Sequence, residues 1–201
     1  MLFLLLPFIP PVCYSYFYNQ RNFYPQGLYG TEVGTMSDEK TLEILKSALL
    51  LEIRGKAFYQ KAAETAKNDS VKQFFEAMVA EEESHVKLLS EQFKAVKAKG
   101  KLIPPGVTDS PENVADKVLS NELKKHIQAA GFEAAAISAA MGMEERAIKL
   151  YAARAAEASD TNEKQLYRWL ADWETNHLEL LAELDRGITE AVWNDNSFWP
   201  F

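Results

Sequence analysis

From Thr41 onward the chain repeats at steps of three and four residues: Leu42, Leu45 and Leu49 lie on one stripe that continues through Glu52, Lys56 and Tyr59. This is the period of an amphipathic helix. It predicts a first long helix over 39–66, a break at Asn68-Asp69-Ser70, and a second long helix over about 71–98 that stops at Gly100. Ser70 with Gln73 three residues later has the form of a capping box, with Ser70 as the N-cap. Leu102 to Gly106 reads as a loop, and Ser110-Pro111 as the start of a shorter helix over 112–128 that ends near Gly131. A third long helix is predicted over 132–158. The polar run Asn162-Glu163-Lys164-Gln165 then repeats the cap signal before a fourth over 163–188. No segment alternates with the period of a strand. The expectation is an all-α four-helix bundle, with short turns inside each hairpin and one long crossover, containing a short helix, between the second and third long helices.

The flanks differ from this core. Residues 1–36 begin with an apolar run interrupted by Pro7, Pro10 and Pro11, followed by a stretch rich in aromatics and turn formers. The run is shorter than the ~20 residues of a membrane span and has no basic residue before it, as a signal peptide should. The preferred reading makes Met36 the natural start and the leader translated upstream sequence; an irregular export or anchor segment is the alternative. Residues 37–190 form the expected bundle. Residues 191–201 form an aromatic tail, with Trp193, Phe198, Trp199 and Phe201 expected to fold back as a plug.

Composition narrows the chemistry. A formal net charge of −7 argues against a nucleic-acid partner. A single cysteine, Cys13, rules out a disulfide framework or a cysteine metal knuckle within the chain. A metal site must therefore draw on Asp, Glu and the three histidines His85, His126 and His177.

The chain also contains an internal repeat. Displaced by 92 positions, Glu52 falls on Glu144, Tyr59 on Tyr151, Ser70 on Asn162, Phe75 on Tyr167, Glu82 on Glu174 and His85 on His177, and no gap is needed. Each half carries a Glu-x-x-His motif, Glu82 to His85 and Glu174 to His177. Residues i and i+3 share a helix face. Glu52 and Glu144 each precede their motif's glutamate by the same interval, 30 residues (82 − 52 and 174 − 144). A helix hairpin turning near the midpoint of that interval brings its two glutamates to one height. Pairing the hairpins then gathers four carboxylates and two imidazoles at one level. Buried together, the carboxylates would repel, and two divalent cations would balance them. Mixed O/N donors suit iron or manganese, and zinc could also occupy the site. A lone Glu-x-x-His is commonly a solvated surface pair; two copies with equal offsets in one register are not explained that way.

With these residues in place, the stretch from about 39 to 188 resembles the rubrerythrin-type branch of the ferritin-like di-iron carboxylate superfamily. The resemblance rests on Glu52 with Tyr59, Glu82-x-x-His85, Glu144 with Tyr151, and Glu174-x-x-His177. It implies a ferritin-like bundle holding two iron ions, with Glu82 and Glu174 bridging and Glu52, His85, Glu144 and His177 as terminal ligands. The implied activity is a redox reaction with hydrogen peroxide or dioxygen. Two features depart from the family pattern. Ala147 stands where rubrerythrins place a further glutamate one turn after the position of Glu144, and the neighbouring Glu145 points about 100° away. The rubredoxin-like Cys-x-x-Cys domain is missing, so an external electron donor is required.

Near the site, Tyr59 and Tyr151 lie two turns beyond Glu52 and Glu144 and could donate hydrogen bonds to ligand carboxylates; core tyrosines satisfied elsewhere are the alternative. Trp169 and Trp173 read chiefly as packing, His126 as structural or exposed, and Arg54 and Arg146 as partners of nearby carboxylates or as surface ion pairs. The leading expectation is a cytoplasmic di-iron oxidoreductase with no membrane partner, in a fold that admits a homodimer. The alternatives are an iron-binding, ferroxidase-type protein without organic substrate and a metal-free helical interaction bundle.

Overall fold

The computed structural model describes residues 36–106, 123 and 131–194. Four helices carry the fold: α1 (Met36–Thr65), α2 (Asp69–Lys99), α3 (Phe132–Glu157) and α4 (Thr161–Asn194). No strand occurs among the described residues. The architecture is a ferritin-like four-helix bundle made of two hairpins, α1 with α2 and α3 with α4. The short helix expected over 112–128 falls outside the described residues, apart from Leu123, which is helical and fully buried against the core.

The helix ends follow local chemistry. Gly100 closes α2 in the left-handed conformation, with φ 67°, a geometry that a glycine adopts without steric cost. The N-cap of α2 is Asn68 rather than Ser70. Its side-chain oxygen accepts from the backbone N–H groups of Ser70 at 2.8 Å and Val71 at 3.3 Å. In the second hairpin Asp160, not Asn162, plays this part and accepts from Glu163 N at 2.9 Å. Asn and Asp cap at least as well as Ser, so the earlier residue takes the role. The two caps are themselves related by the 92-residue repeat. Asn162 is free for another task and donates to Leu102 O at 3.3 Å. Helix α4 also runs past the expected end at 188. Trp193, expected in a folded-back tail, lies within the helix and is 68 % exposed.

The core forms two apolar clusters. One includes Tyr59, Phe74, Phe75, Met78, Ile137, Ala140, Leu181 and Leu184. The other includes Leu45, Ala48, Leu89, Ala147, Tyr151, Leu166, Tyr167 and Leu170. Every helix contributes buried residues to both, and the stretch between those contributions carries buried acids or histidines: 49–58 in α1, 79–88 in α2, 141–146 in α3 and 172–179 in α4. The clusters exchange under the repeat. Tyr59 stacks on Phe75 in one (centroids 6.3 Å apart), and Tyr151 stacks on Tyr167 in the other (5.9 Å). The hairpins are therefore related by an approximate twofold, with a polar level at its centre. Burying a large apolar side chain stabilises the fold by about 1.5–3 kcal/mol, so the two clusters can carry a level that is costly alone.

Candidate metal centre

Glu52, Glu82, His85, Glu144, Glu174 and His177 all lie within that level, each at most 3 % exposed. Two groups of side chains bring oxygen and nitrogen atoms within 4.8 Å of one another: Glu52, Glu82, His85 and Glu174 form one, and Glu82, Glu144, Glu174 and His177 the other. Glu82 and Glu174 belong to both. All six residues singled out in the sequence converge, while His126 lies outside the described residues.

Each histidine turns Nδ1 toward the carboxylates. His85 Nδ1 is 3.2 Å from Glu52 Oε2 and 3.1 Å from Glu174 Oε1. His177 Nδ1 is 3.0 Å from Glu174 Oε2 and 4.0 Å from both Glu82 Oε1 and Glu144 Oε1. The tyrosines complete the twofold pattern by crossing between hairpins. Tyr59 on α1 donates to Glu144 on α3, and Tyr151 on α3 donates to Glu52 on α1.

The electrostatics show what burial does to clustered acids. Burial, reinforced by the charge of Glu174, raises Glu82 well above the usual carboxylate range and Glu144 to about 8. Burial alone would raise Glu174 as well, but the charge of His85 and a hydrogen bond from His177 hold it below the ordinary range. Both histidines are pushed up: burial works against their charged form, and the surrounding glutamates outweigh it. Without a cation, protons on glutamates and imidazoles balance the charge. Glu174 Oε1 is deeply buried and, although His85 Nδ1 lies 3.1 Å away, no well-aligned hydrogen bond satisfies it. A donor set of carboxylate oxygens and imidazole nitrogens, held this close with an acceptor left over, fits divalent cations.

A cavity of about 150 Å³ opens on the carboxylates between α1 and α3. Glu52, Glu82, Glu144 and Glu174 line its floor, Gly55 and Ala147 its walls, and the exposed Arg54 and Arg146 also line it. Gly55 and Ala147 are repeat-related, and a Cβ on Gly55 would stand 3.2 Å from Glu82 Cδ. With a water's share of liquid near 30 Å³, the cavity admits only small molecules.

Two buried side chains make contacts beside this level that the sequence reading does not anticipate. Trp173 is buried, as packing requires, and its indole N–H also lies 3.1 Å from Glu81 Oε2 and 3.0 Å from His177 Nε2. Glu81 was not singled out, yet it is buried with Oε2 2.6 Å from His177 Nε2. It sits in the run Glu81-Glu82-Glu83, where only helix phase distinguishes an inward carboxylate from a solvated one.

Comparison with curated proteins and with solved structures finds no match. Among the described residues, no helix is long and apolar enough to cross a membrane. The rubrerythrin family model matches residues 43–185, a span that contains both hairpins and all six clustered side chains. This chain belongs to the rubrerythrin family.

Proposed function

We propose that the protein is a di-iron oxidoreductase that uses hydrogen peroxide or dioxygen as oxidant and an electron donor outside the chain. The observation that carries this reading is the pair of overlapping donor groups that share Glu82 and Glu174. In this reading Glu52 and His85 would help hold one ion, Glu144 and His177 the other, and Glu82 and Glu174 would serve both. Bound iron supplies one-electron steps and Lewis acidity toward a small oxidant.

The chain's own residues supply the setting. Tyr59 and Tyr151 keep their protons, because burial and then the neighbouring glutamate charges raise both phenols far above their ordinary range. Each phenol thus orients one terminal carboxylate as a fixed donor. The apolar clusters exclude water from both ends of the level. The cavity between α1 and α3 offers the approach from the side, and its small volume supports peroxide or dioxygen over a bulky organic substrate. That same size also favours a second reading, an iron-binding or ferroxidase-type protein whose only substrates are iron and the oxidant.

Elemental analysis and optical spectra of the protein loaded with Fe(II) in air test the proposal. The expected result is two ions per chain with ferric charge-transfer absorption. Fewer than one ion per chain and no such absorption would remove both readings. If iron binds, faster reoxidation by peroxide than by dioxygen, with turnover sustained by a reductant, supports the peroxidase form; oxidation of added Fe(II) alone supports the second reading.

A further inference from the structure

Beside the metal level the repeat exchanges one buried acid for an aromatic side chain. Displacement by 92 carries Glu81 onto Trp173, a carboxylate onto an indole. Both side chains are buried, and they touch: Trp173 Nε1, His177 Nε2 and Glu81 Oε2 form a triangle with sides of 3.0, 2.6 and 3.1 Å. An indole nitrogen can only donate. If His177 Nε2 accepted from Trp173, Nε2 and Glu81 Oε2 would be two acceptors 2.6 Å apart, and the imidazole proton would sit on Nδ1, which faces the other carboxylates. If instead Glu81 accepts from both Trp173 and His177, the shortest contact, 2.6 Å, becomes a donor–acceptor pair, the two N–H groups share one carboxylate oxygen, and the Nδ1 lone pair faces the metal level. Only the second arrangement leaves His177 able to bind an ion.

His85 has no equivalent. The place related to Glu81 is filled by Trp173, whose ring stands edge-on to the His85 imidazole (centroids 5.4 Å apart, 88° between planes). His85 Nε2 is buried and has no hydrogen-bond partner among the described residues. Among the described residues no acceptor on Nε2 fixes its tautomer for metal binding or raises its basicity. Acceptors on the outer nitrogen of a histidine ligand do both.

We infer that Glu81 is a positioning residue that makes the two metal positions unequal: acting through His177, it gives the ion held by Glu144 and His177 the tighter grip, and leaves the ion held by Glu52 and His85 the more exchangeable. This rests on the metal-centre reading above. It adds a resident ion and an exchangeable one to a ligand set that is otherwise twofold-symmetric.

The test uses Co(II) as the probe, titrated against a competing chelator and followed by its visible spectrum. Two backgrounds isolate the positions: Glu52→Gln leaves the His177 group intact, and Glu144→Gln leaves the His85 group intact. Glu81→Ala is expected to lower Co(II) affinity about 10–100-fold in the first background, the range for loss of such a partner, and to leave the second within about threefold. Glu81→Gln, which still accepts from Nε2 but carries no charge, should restore part of the loss. A general packing defect would weaken both backgrounds alike, and that result overturns the inference; so does an unchanged affinity in both. If the alanine variant does not fold, the glutamine variant carries the test, and a loss confined to the His177 group is again the supporting result. A wild-type protein that takes up no Co(II) overturns the metal-centre reading itself, which sets that failure apart from one confined to Glu81.

Discussion

Tyr59 on α1 gives its hydroxyl hydrogen bond to Glu144 on α3, a residue of the other hairpin 85 positions away. The repeat-related Tyr151 returns the bond to Glu52, so each hairpin holds a carboxylate of the other in place. Tyr59→Phe or Tyr151→Phe removes one such donor from a buried acid. Each is expected to destabilise the metal-free protein by about 1–3 kcal/mol, the cost of leaving a buried polar group without its partner, measured by urea denaturation. Similar losses for the two variants would support the twofold arrangement, and a loss near zero in both would contradict it.

Removing shared and unshared carboxylates should have different consequences. Glu82→Ala or Glu174→Ala takes a donor from both groups, and binding of both ions should be lost. Glu52→Ala or Glu144→Ala touches one group, and one ion per chain should remain. Metal content after dialysis, read by elemental analysis, distinguishes the two. A Glu82→Ala or Glu174→Ala protein that still holds two ions would show the assignment to be wrong.

The metal-free protein should become less stable as pH rises. Glu144 is raised from the ordinary 4.5 to about 8, and Glu82, His85 and His177 are raised as well. A group with a raised folded-state value binds its proton more tightly when folded, so its contribution is complete below the unfolded value and fades as pH climbs through the folded one. Glu174, held low, runs the other way: its contribution is present above about 4.5 and is lost only as pH falls below that. Melting temperature should therefore fall between pH 5.5 and pH 8.5. Divalent ions replace these protons, so the loaded protein should show a flatter profile. A metal-free protein with equal melting temperatures at both values would contradict the charge balance described above.

Gly55→Ala separates stability from binding. Alanine is better than glycine inside a helix by about 1 kcal/mol, which offsets the cost of shifting Glu82, so the metal-free variant should melt close to wild type. The new Cβ would stand 3.2 Å from Glu82 Cδ and 3.3 Å from both of its carboxylate oxygens, and so would displace the shared carboxylate. Metal affinity should drop by roughly tenfold, by analogy with other displaced ligand supports. Unchanged affinity would show that Glu82 has room to move.

The helices and all six clustered residues could be read from the chain because they obey two strict spacings, the 3.6-residue period and the 92-residue repeat. The repeat, used as a filter, also explains what stayed hidden. It favours positions that match, and Glu81 faces Trp173 across the register, so the acid that breaks the symmetry was set aside along with the solvated ones. The caps were misplaced by two residues in both halves because Asn68 and Ser70, like Asp160 and Asn162, are all competent cappers, and backbone geometry decides among them. The crossing of the tyrosines depends on how one hairpin sits on the other, which no local pattern encodes.

If the level holds iron as proposed, the apolar clusters above and below it would tie the folding equilibrium to the supply of that metal. With ions as proposed, each bound ion adds RT ln(1 + [M]/Kd) to the stability of the native chain. Where iron is scarce, the level holds only protons, local opening there becomes more frequent, and proteolysis gains access. The lifetime of the chain would then report the metal status of its surroundings, through the same carboxylates proposed to hold the ions.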